Sequence, residues 1–122
     1  MRYFNFTIIA FLFLFTFSLF NKACAGEILV LHVNGAIDPV IARYVKSGIE
    51  SANNKNMLLV VIELDTPGGL DQSMREIVQS ILKSKVPVAS FVYPSGARAA
   101  SAGTFIVEAS SLAVMSPNTS IG

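Results

Sequence analysis

The sequence predicts an α/β domain built on a mostly parallel sheet. After residue 25, short apolar runs alternate with segments in which apolar residues recur at helical spacing. This strand–helix order, repeated up to a fourth strand, is typical of parallel strands joined by right-handed crossovers. The apolar runs are continuous, which indicates strands that are covered on both faces.

The first half of the domain contains two strands and one helix. The first strand is predicted over Ile28–Val33. Asp38 and Pro39 then fit the N-cap and the first position of a helix, which the pair Asn53–Asn54 closes. The second strand is predicted over Met57–Leu64.

The second half repeats the alternation. Asp71 is expected to cap the second helix, and the third strand is predicted over Val86–Tyr93. A short helix is predicted to begin at Ser101, and a fourth strand follows over Leu112–Met115. The whole segment from residue 26 to residue 122 is therefore expected to form one unit.

The composition excludes several function classes. The chain has 122 residues, of which 52% are hydrophobic and 14% charged, with a net charge of +1. So little charge argues against disorder, and without a basic field no nucleic-acid partner is expected. No His/Cys/Asp cluster has the spacing of metal ligands, so neither a metal nor another cofactor is predicted.

Residues 1–25 are predicted to be a cleaved signal peptide. Arg2 gives a positive start, and Ile8–Phe20 is almost entirely apolar. A helix of that length spans roughly 20 Å, which is short of the ~30 Å bilayer core. Ala23–Ala25 is a small-x-small site with the cut expected before Gly26. A retained membrane anchor is the alternative, and both interpretations predict export.

Two unusual loops follow neighbouring strands. Asp65–Gly69 follows the second strand, and Pro94–Gly103 follows the third. Ligands bind beyond the carboxyl ends of strands in such sheets. We therefore expect a pair of glycines to face a serine at this edge.

These loops contain the parts of an acyl-transfer site. Ser101 stands at the start of a helix, where its hydroxyl would be accessible. Backbone N–H groups of Gly68, Gly69 and Ala102 could hold a developing oxyanion. Spacing alone favours a turn followed by a capped helix and leaves the serine nucleophile as the alternative.

Four segments together carry a resemblance to a known family. They are Ile62–Gly69, Val92–Ala97, Ala99–Thr104 and Met115–Gly122. In this combination the chain resembles, from about residue 28 to its end, the membrane-associated ClpP-class serine proteases of the NfeD family.

The resemblance implies a fold and an activity. The fold would be the ClpP/crotonase spiral of ββα units, with residues 26–122 forming the N-terminal part of a ClpP-like serine protease domain. The activity would be peptide hydrolysis by a Ser–Lys dyad with Ser101 as the nucleophile. Gly68 or Gly69, together with Ala102, would supply the oxyanion-hole amides.

The resemblance also implies partners and a location. The substrates would be apolar segments of membrane-associated proteins, notably stomatin-like proteins. The domain would form homodimers. It would lie at a membrane, on the periplasmic or extracytoplasmic face, and longer members of the family continue into transmembrane helices.

The general base of the expected Ser–Lys dyad is missing from this sequence, because no lysine follows Ser101. The family's lysine is therefore expected beyond Gly122, so that residues 1–122 would be an inactive piece of a longer protein. A truncated, inactive relative is the alternative. Lys83 and Lys85 lie before the third strand, roughly 20 Å from the serine, too far to replace the base.

Other charged residues receive structural interpretations. His32 is expected to be a buried, hydrogen-bonded strand residue, with a role as base the less favoured alternative. Asp65 is expected to fix the glycine turn, and Arg98 and Glu108 are expected to be surface charges.

Three functions are compatible with these features. The first is a serine endopeptidase, and the second is a peptide-binding module that does not cut. The third is an acyl-CoA enzyme of the crotonase type, which the predicted export disfavours. Because one face of the sheet would be incompletely covered, residues 26–122 alone are expected to be poorly stable or to self-associate.

Overall fold

The computed structural model describes residues 26–122 as a mostly parallel α/β unit, which confirms the predicted fold class. In chain order the elements of this range are β1 (Ile28–Asn34), α1 (Pro39–Asn54), β2 (Leu59–Asp65), α2 (Asp71–Lys83), β3 (Val88–Val92), β4 (Arg98–Ala99), α3 (Ala102–Ala109), β5 (Leu112–Met115) and β6 (Ser120–Ile121). The predicted signal peptide lies outside the described residues.

The main sheet has the strand order β1-β2-β3-β5, and all its pairings are parallel. The sequence prediction missed the second, two-stranded sheet, in which β4 pairs with β6. A two-residue strand is too short to show any periodicity in sequence. An isolated bridge between Thr66 and Ala99 connects the end of β2 to this small sheet.

The three helices cover one face of the main sheet. Alternate strand residues such as Leu31, Val33, Ile62 and Leu64 point into the core beneath them and are almost fully buried. The opposite face carries side chains that remain exposed, among them Ile28, Val30, Leu112 and Val114. The prediction from the apolar runs that the strands are covered on both faces is thus wrong for residues 26–122, whereas the expectation of one incompletely covered face is confirmed for them.

The first helix begins as predicted. Pro39 is its first residue, and the Oδ1 atom of Asp38 accepts a hydrogen bond of 2.8 Å from the backbone N–H of Ile41. This bond satisfies one of the N–H groups that a helix leaves free at its start.

The second helix begins differently from the prediction that Asp71 is its cap. Leu70 holds the cap position, because its N–H still donates to the carbonyl oxygen of Ile37 at 2.8 Å and keeps the backbone extended. Asp71 is the first helical residue and accepts a 2.8 Å hydrogen bond from Nε of Arg75. That hydrogen bond, aided by the carboxylate charge, raises the pKa of Arg75.

The described part of the chain lacks a membrane-spanning helix and a cluster of metal-binding side chains. None of the helices between residues 26 and 122 is both long and apolar enough to cross a bilayer. In the same range, no three His, Cys, Asp or Glu side chains are grouped so that they could hold a metal ion.

Candidate active site

The two predicted loops meet at Gly68 and Ser101. Gly68 is buried, and a Cβ placed on it would lie 2.8 Å from the Cβ of Ser101 and 3.2 Å from its Oγ. Such a distance to Cβ is shorter than real contacts allow, so only glycine leaves room for the serine. The structure therefore brings together the glycine pair and the serine on which the catalytic hypothesis depends.

Ser101 has a backbone conformation that L-residues seldom adopt. Its φ is 50° and its ψ is −112°, and it immediately precedes helix α3. Its side chain is exposed and makes no capping hydrogen bond, so the interpretation of Ser101 as a helix-capping side chain is wrong. Strained backbone of this kind costs about 1–3 kcal/mol and is concentrated at functional sites.

The two glycines differ in what their N–H groups do. The N–H of Gly68 donates to Oγ1 of Thr66 at 3.1 Å. The N–H groups of Gly69 and Ala102 have no acceptor among residues 26–122. Ala102 opens helix α3, where the first N–H groups lack an intrahelical partner. Of the three predicted donors, Gly69 and Ala102 are thus the two whose N–H groups remain available to a ligand.

Close packing against Ile37 explains why the residue at position 69 is a glycine. Ile37 donates its N–H to the carbonyl of Gly68 and accepts from the N–H of Leu70, both at 2.8 Å. Because the neighbours of Gly69 make these bonds, its own N–H and C=O face away from Ile37. A Cβ on Gly69 would lie 2.1 Å from the carbonyl oxygen of Ile37, so no other residue fits.

Thr66 connects the two loops, a role that the sequence did not reveal. Its N–H donates to the carbonyl of Arg98 at 2.7 Å, and its carbonyl accepts from the N–H of Ala100 at 3.1 Å. The residue expected to fix the turn, Asp65, instead accepts a 3.2 Å hydrogen bond from the N–H of Arg98. A hydroxyl two residues before Gly68 was the available signal, since Ser and Thr form such turns.

His32 does not occupy the predicted buried position. Its side chain is 71% exposed, and Nδ1 lies 2.6 Å from Oε2 of Glu63 on the neighbouring strand. The two residues line a recess of about 190 Å³ that also includes Asp65 and Tyr93, but neither Ser101 nor the glycine pair. The geometry gives no support to His32 as a base for Ser101.

The remaining charged candidates lie where the sequence suggested. Lys83 ends helix α2 and Lys85 precedes β3, whereas Ser101 follows that strand. These two lysines and Arg98 on β4 are exposed, and so is Glu108 on α3.

Sequence comparison adds two findings to this geometry. The family described as NfeD1b, N-terminal domain, matches residues 27–122. The chain is also 54% identical over 74 residues to the membrane-bound protease PH1510 of Pyrococcus horikoshii. That match covers 61% of this chain but only 17% of the relative.

Solved structures extend the likeness to the fold. Two structures of the 1510-N membrane-bound stomatin-specific protease superpose with TM-scores of 0.77, at 43% and 44% identity. One is a serine-to-alanine mutant, and the other is a lysine-to-alanine mutant in complex with a substrate peptide. Each match covers 80% of this chain, which spans 47% and 44% of the respective solved chains.

A more distant structure shows the fold alone. ClpP1 from Listeria monocytogenes superposes with a TM-score of 0.63 at 21% identity, over 74% of this chain and 52% of that one. The predicted ClpP-like fold is thereby confirmed.

Proposed function

Because this chain belongs to the NfeD1b N-terminal domain family, we propose that residues 26–122 form the N-terminal part of a serine endopeptidase domain. Ser101 is the nucleophile, and the N–H groups of Gly69 and Ala102 form the oxyanion hole. The contact between Gly68 and Ser101 carries the proposal, because it holds an accessible hydroxyl beside the loop that supplies free N–H donors.

The residues of this chain would act in two steps. Oγ of Ser101 attacks the carbonyl carbon of the scissile peptide bond, and the carbonyl oxygen gains negative charge. N–H groups that already point to that oxygen stabilise the charge without rearranging. A base takes the serine proton and passes it to the leaving amine, and water then hydrolyses the acyl-enzyme.

We assign the base to a lysine that follows Gly122, which makes a Ser–Lys dyad. Within residues 26–122 no side chain is hydrogen-bonded to Oγ of Ser101, and no lysine follows Ser101 in the sequence. The two solved mutants of the stomatin-specific protease, one at a serine and one at a lysine, support this assignment.

The names of the relatives support a membrane location and a stomatin-like substrate. The preference for apolar segments, the homodimer and the side of the membrane rest on the family resemblance and on the predicted signal peptide. We propose that the protein cleaves apolar segments of a membrane-associated partner, of which a stomatin-like protein is the first candidate. The domain acts as a homodimer on the extracytoplasmic side of a membrane, to which the signal peptide or anchor at residues 1–25 directs it.

A serine-specific fluorophosphonate probe tests the proposal on the full-length protein, including the chain after Gly122. We expect the wild type to be labelled and Ser101→Ala to remain unlabelled. Ser111→Ala is the control, because Ser111 is also exposed and lies outside the site, just before β5. Equal labelling of wild type and Ser101→Ala would contradict the proposal.

A peptide-binding module without hydrolysis is the second candidate. It is favoured by one observation: no basic side chain among the described residues is hydrogen-bonded to the Ser101 hydroxyl. A folded full-length protein that binds an apolar peptide, yet neither cleaves it nor reacts with the probe, would support this function over the first.

A further inference from the structure

We propose that Thr66 is a positioning residue that fixes the oxyanion-hole loop relative to the nucleophile; this inference rests on the proposed function of Ser101 and Gly69. Thr66 is fully buried at the end of β2, and it makes hydrogen bonds to both loops of the candidate site.

The Thr66 side chain controls the glycine loop through Gly68. Its Oγ1 accepts from the N–H of Gly68 at 3.1 Å and donates to the carbonyl oxygen of the same residue at 3.2 Å. The first bond removes the Gly68 N–H from any role in binding an oxyanion. The second bond helps to hold the peptide unit that follows Gly68.

That peptide unit contains the proposed catalytic donor. The C=O of Gly68 and the N–H of Gly69 belong to one planar peptide group, so fixing the oxygen also fixes the direction of the N–H. Two donors hold this oxygen, Oγ1 of Thr66 and the N–H of Ile37. Loss of the hydroxyl leaves only one of them, and the Gly69 N–H gains freedom to turn away.

Thr66 also contacts the segment that carries the nucleophile. Its backbone bonds with Arg98 and Ala100 end one residue before Ser101. Its Cγ2 methyl packs against Gly103 on α3, where an added Cβ would come within 2.7 Å of it. Thr66 therefore contacts both loops, and its hydroxyl is the part that holds the glycine loop. A preorganised oxyanion hole depends on such rigidity.

Two substitutions separate the hydroxyl from the shape of the side chain. Thr66→Val keeps the branched shape and removes the hydroxyl, whereas Thr66→Ser keeps the hydroxyl and removes Cγ2. Thr119→Val is the matched control, since Oγ1 of Thr119 also donates to a backbone carbonyl, that of Ser116, away from the glycine pair. The full-length protein is assayed for peptide hydrolysis, and hydrogen exchange of the Gly68 amide is measured by NMR.

For Thr66→Val we expect kcat to fall about tenfold or more with KM nearly unchanged, because a transition-state donor is disordered. The Gly68 amide should exchange faster by a similar factor. Thr66→Ser and Thr119→Val should stay within about threefold of wild type in both measurements.

The two readouts keep this inference distinct from the protease proposal. If Thr66→Val has the same kcat as an active wild type, the positioning role is overturned. If the wild type itself proves inactive, the protease proposal fails, and Gly68 exchange alone decides whether Thr66 fixes the loop. Unchanged exchange in Thr66→Val would then overturn it.

Discussion

Gly68 and Ser101 occupy adjacent positions in space that no larger residue at position 68 could share, since an added Cβ would lie 2.8 Å from the serine Cβ. Gly68 also has a φ of +114°, which side-chain-bearing residues rarely adopt. The glycine thus serves both the shape of the turn and the position of the nucleophile.

Gly68→Ala is expected to lower activity by more than its cost in stability explains. Gly35→Ala is the matched control, because Gly35 has a φ of +100° but nothing within 4 Å of an added Cβ. Both variants should lose about 1 kcal/mol of unfolding free energy from backbone strain, and Gly68→Ala should lose more because its Cβ also clashes with Ser101. Only Gly68→Ala should also lose probe labelling, by about tenfold or more, because it displaces Ser101. Equal labelling of the two variants would mean that the contact has no catalytic consequence.

The strain at Ser101 gives a second prediction. At φ 50° and ψ −112°, alanine retains the strain and glycine relieves it. We expect Ser101→Gly to be about 1 kcal/mol more stable to denaturant than Ser101→Ala, while neither reacts with the fluorophosphonate probe. If the alanine variant is the more stable of the two, this backbone is not strained in solution.

The parts of this fold that the sequence predicted correctly have local causes. Asp38 and Pro39 predict the start of helix α1, because a cap and a first-turn proline stabilise a helix through contacts within a few residues of themselves. Asp71 looked like a similar cap, yet the hydrogen bond between Leu70 and Ile37 keeps the chain extended for one residue longer. That bond joins segments far apart in sequence, so no local pattern could reveal it.

The residues of the candidate site could be predicted from the sequence, but the hydrogen bonds that position them could not. Ser101 and the glycine pair follow neighbouring strands, and parallel pairing brings such loops together. The pairing of β4 with β6 joins separate segments of the chain. The role of Thr66 depends on its backbone hydrogen bonds with Arg98 and Ala100. Two-residue strands and a single buried threonine leave no periodic signal in sequence.

The prediction that His32 is buried is wrong for a related reason. The run through Leu31 and Val33 is continuous and apolar, which suggested that every side chain of the strand is buried. In the structure these two residues point to the helices, and His32 points to the open face, where it meets Glu63. Alternation along the strand decides its position.

His32→Gln is therefore expected to leave probe labelling within about twofold of wild type, because a base must lie within hydrogen-bond reach of the hydroxyl that it activates. Glutamine keeps a polar group that can still bond to Glu63. A variant that folds normally, by circular dichroism and thermal melting, but is no longer labelled would instead make His32 the base.

The open face of the main sheet gives the last prediction. Val30 and Val114 are 40% and 42% exposed on it, and apolar surface gains about 25 cal/mol for each Å² removed from water. We expect isolated residues 26–122 to associate with rising concentration in sedimentation equilibrium. Val30→Thr combined with Val114→Thr should weaken this association about tenfold. Each threonine keeps the shape of valine but places a hydroxyl on the contact surface. Val40→Thr should not weaken the association, since Val40 is 70% exposed on helix α1, on the opposite side of the sheet. A monodisperse monomer that melts cooperatively would show that this face needs no covering.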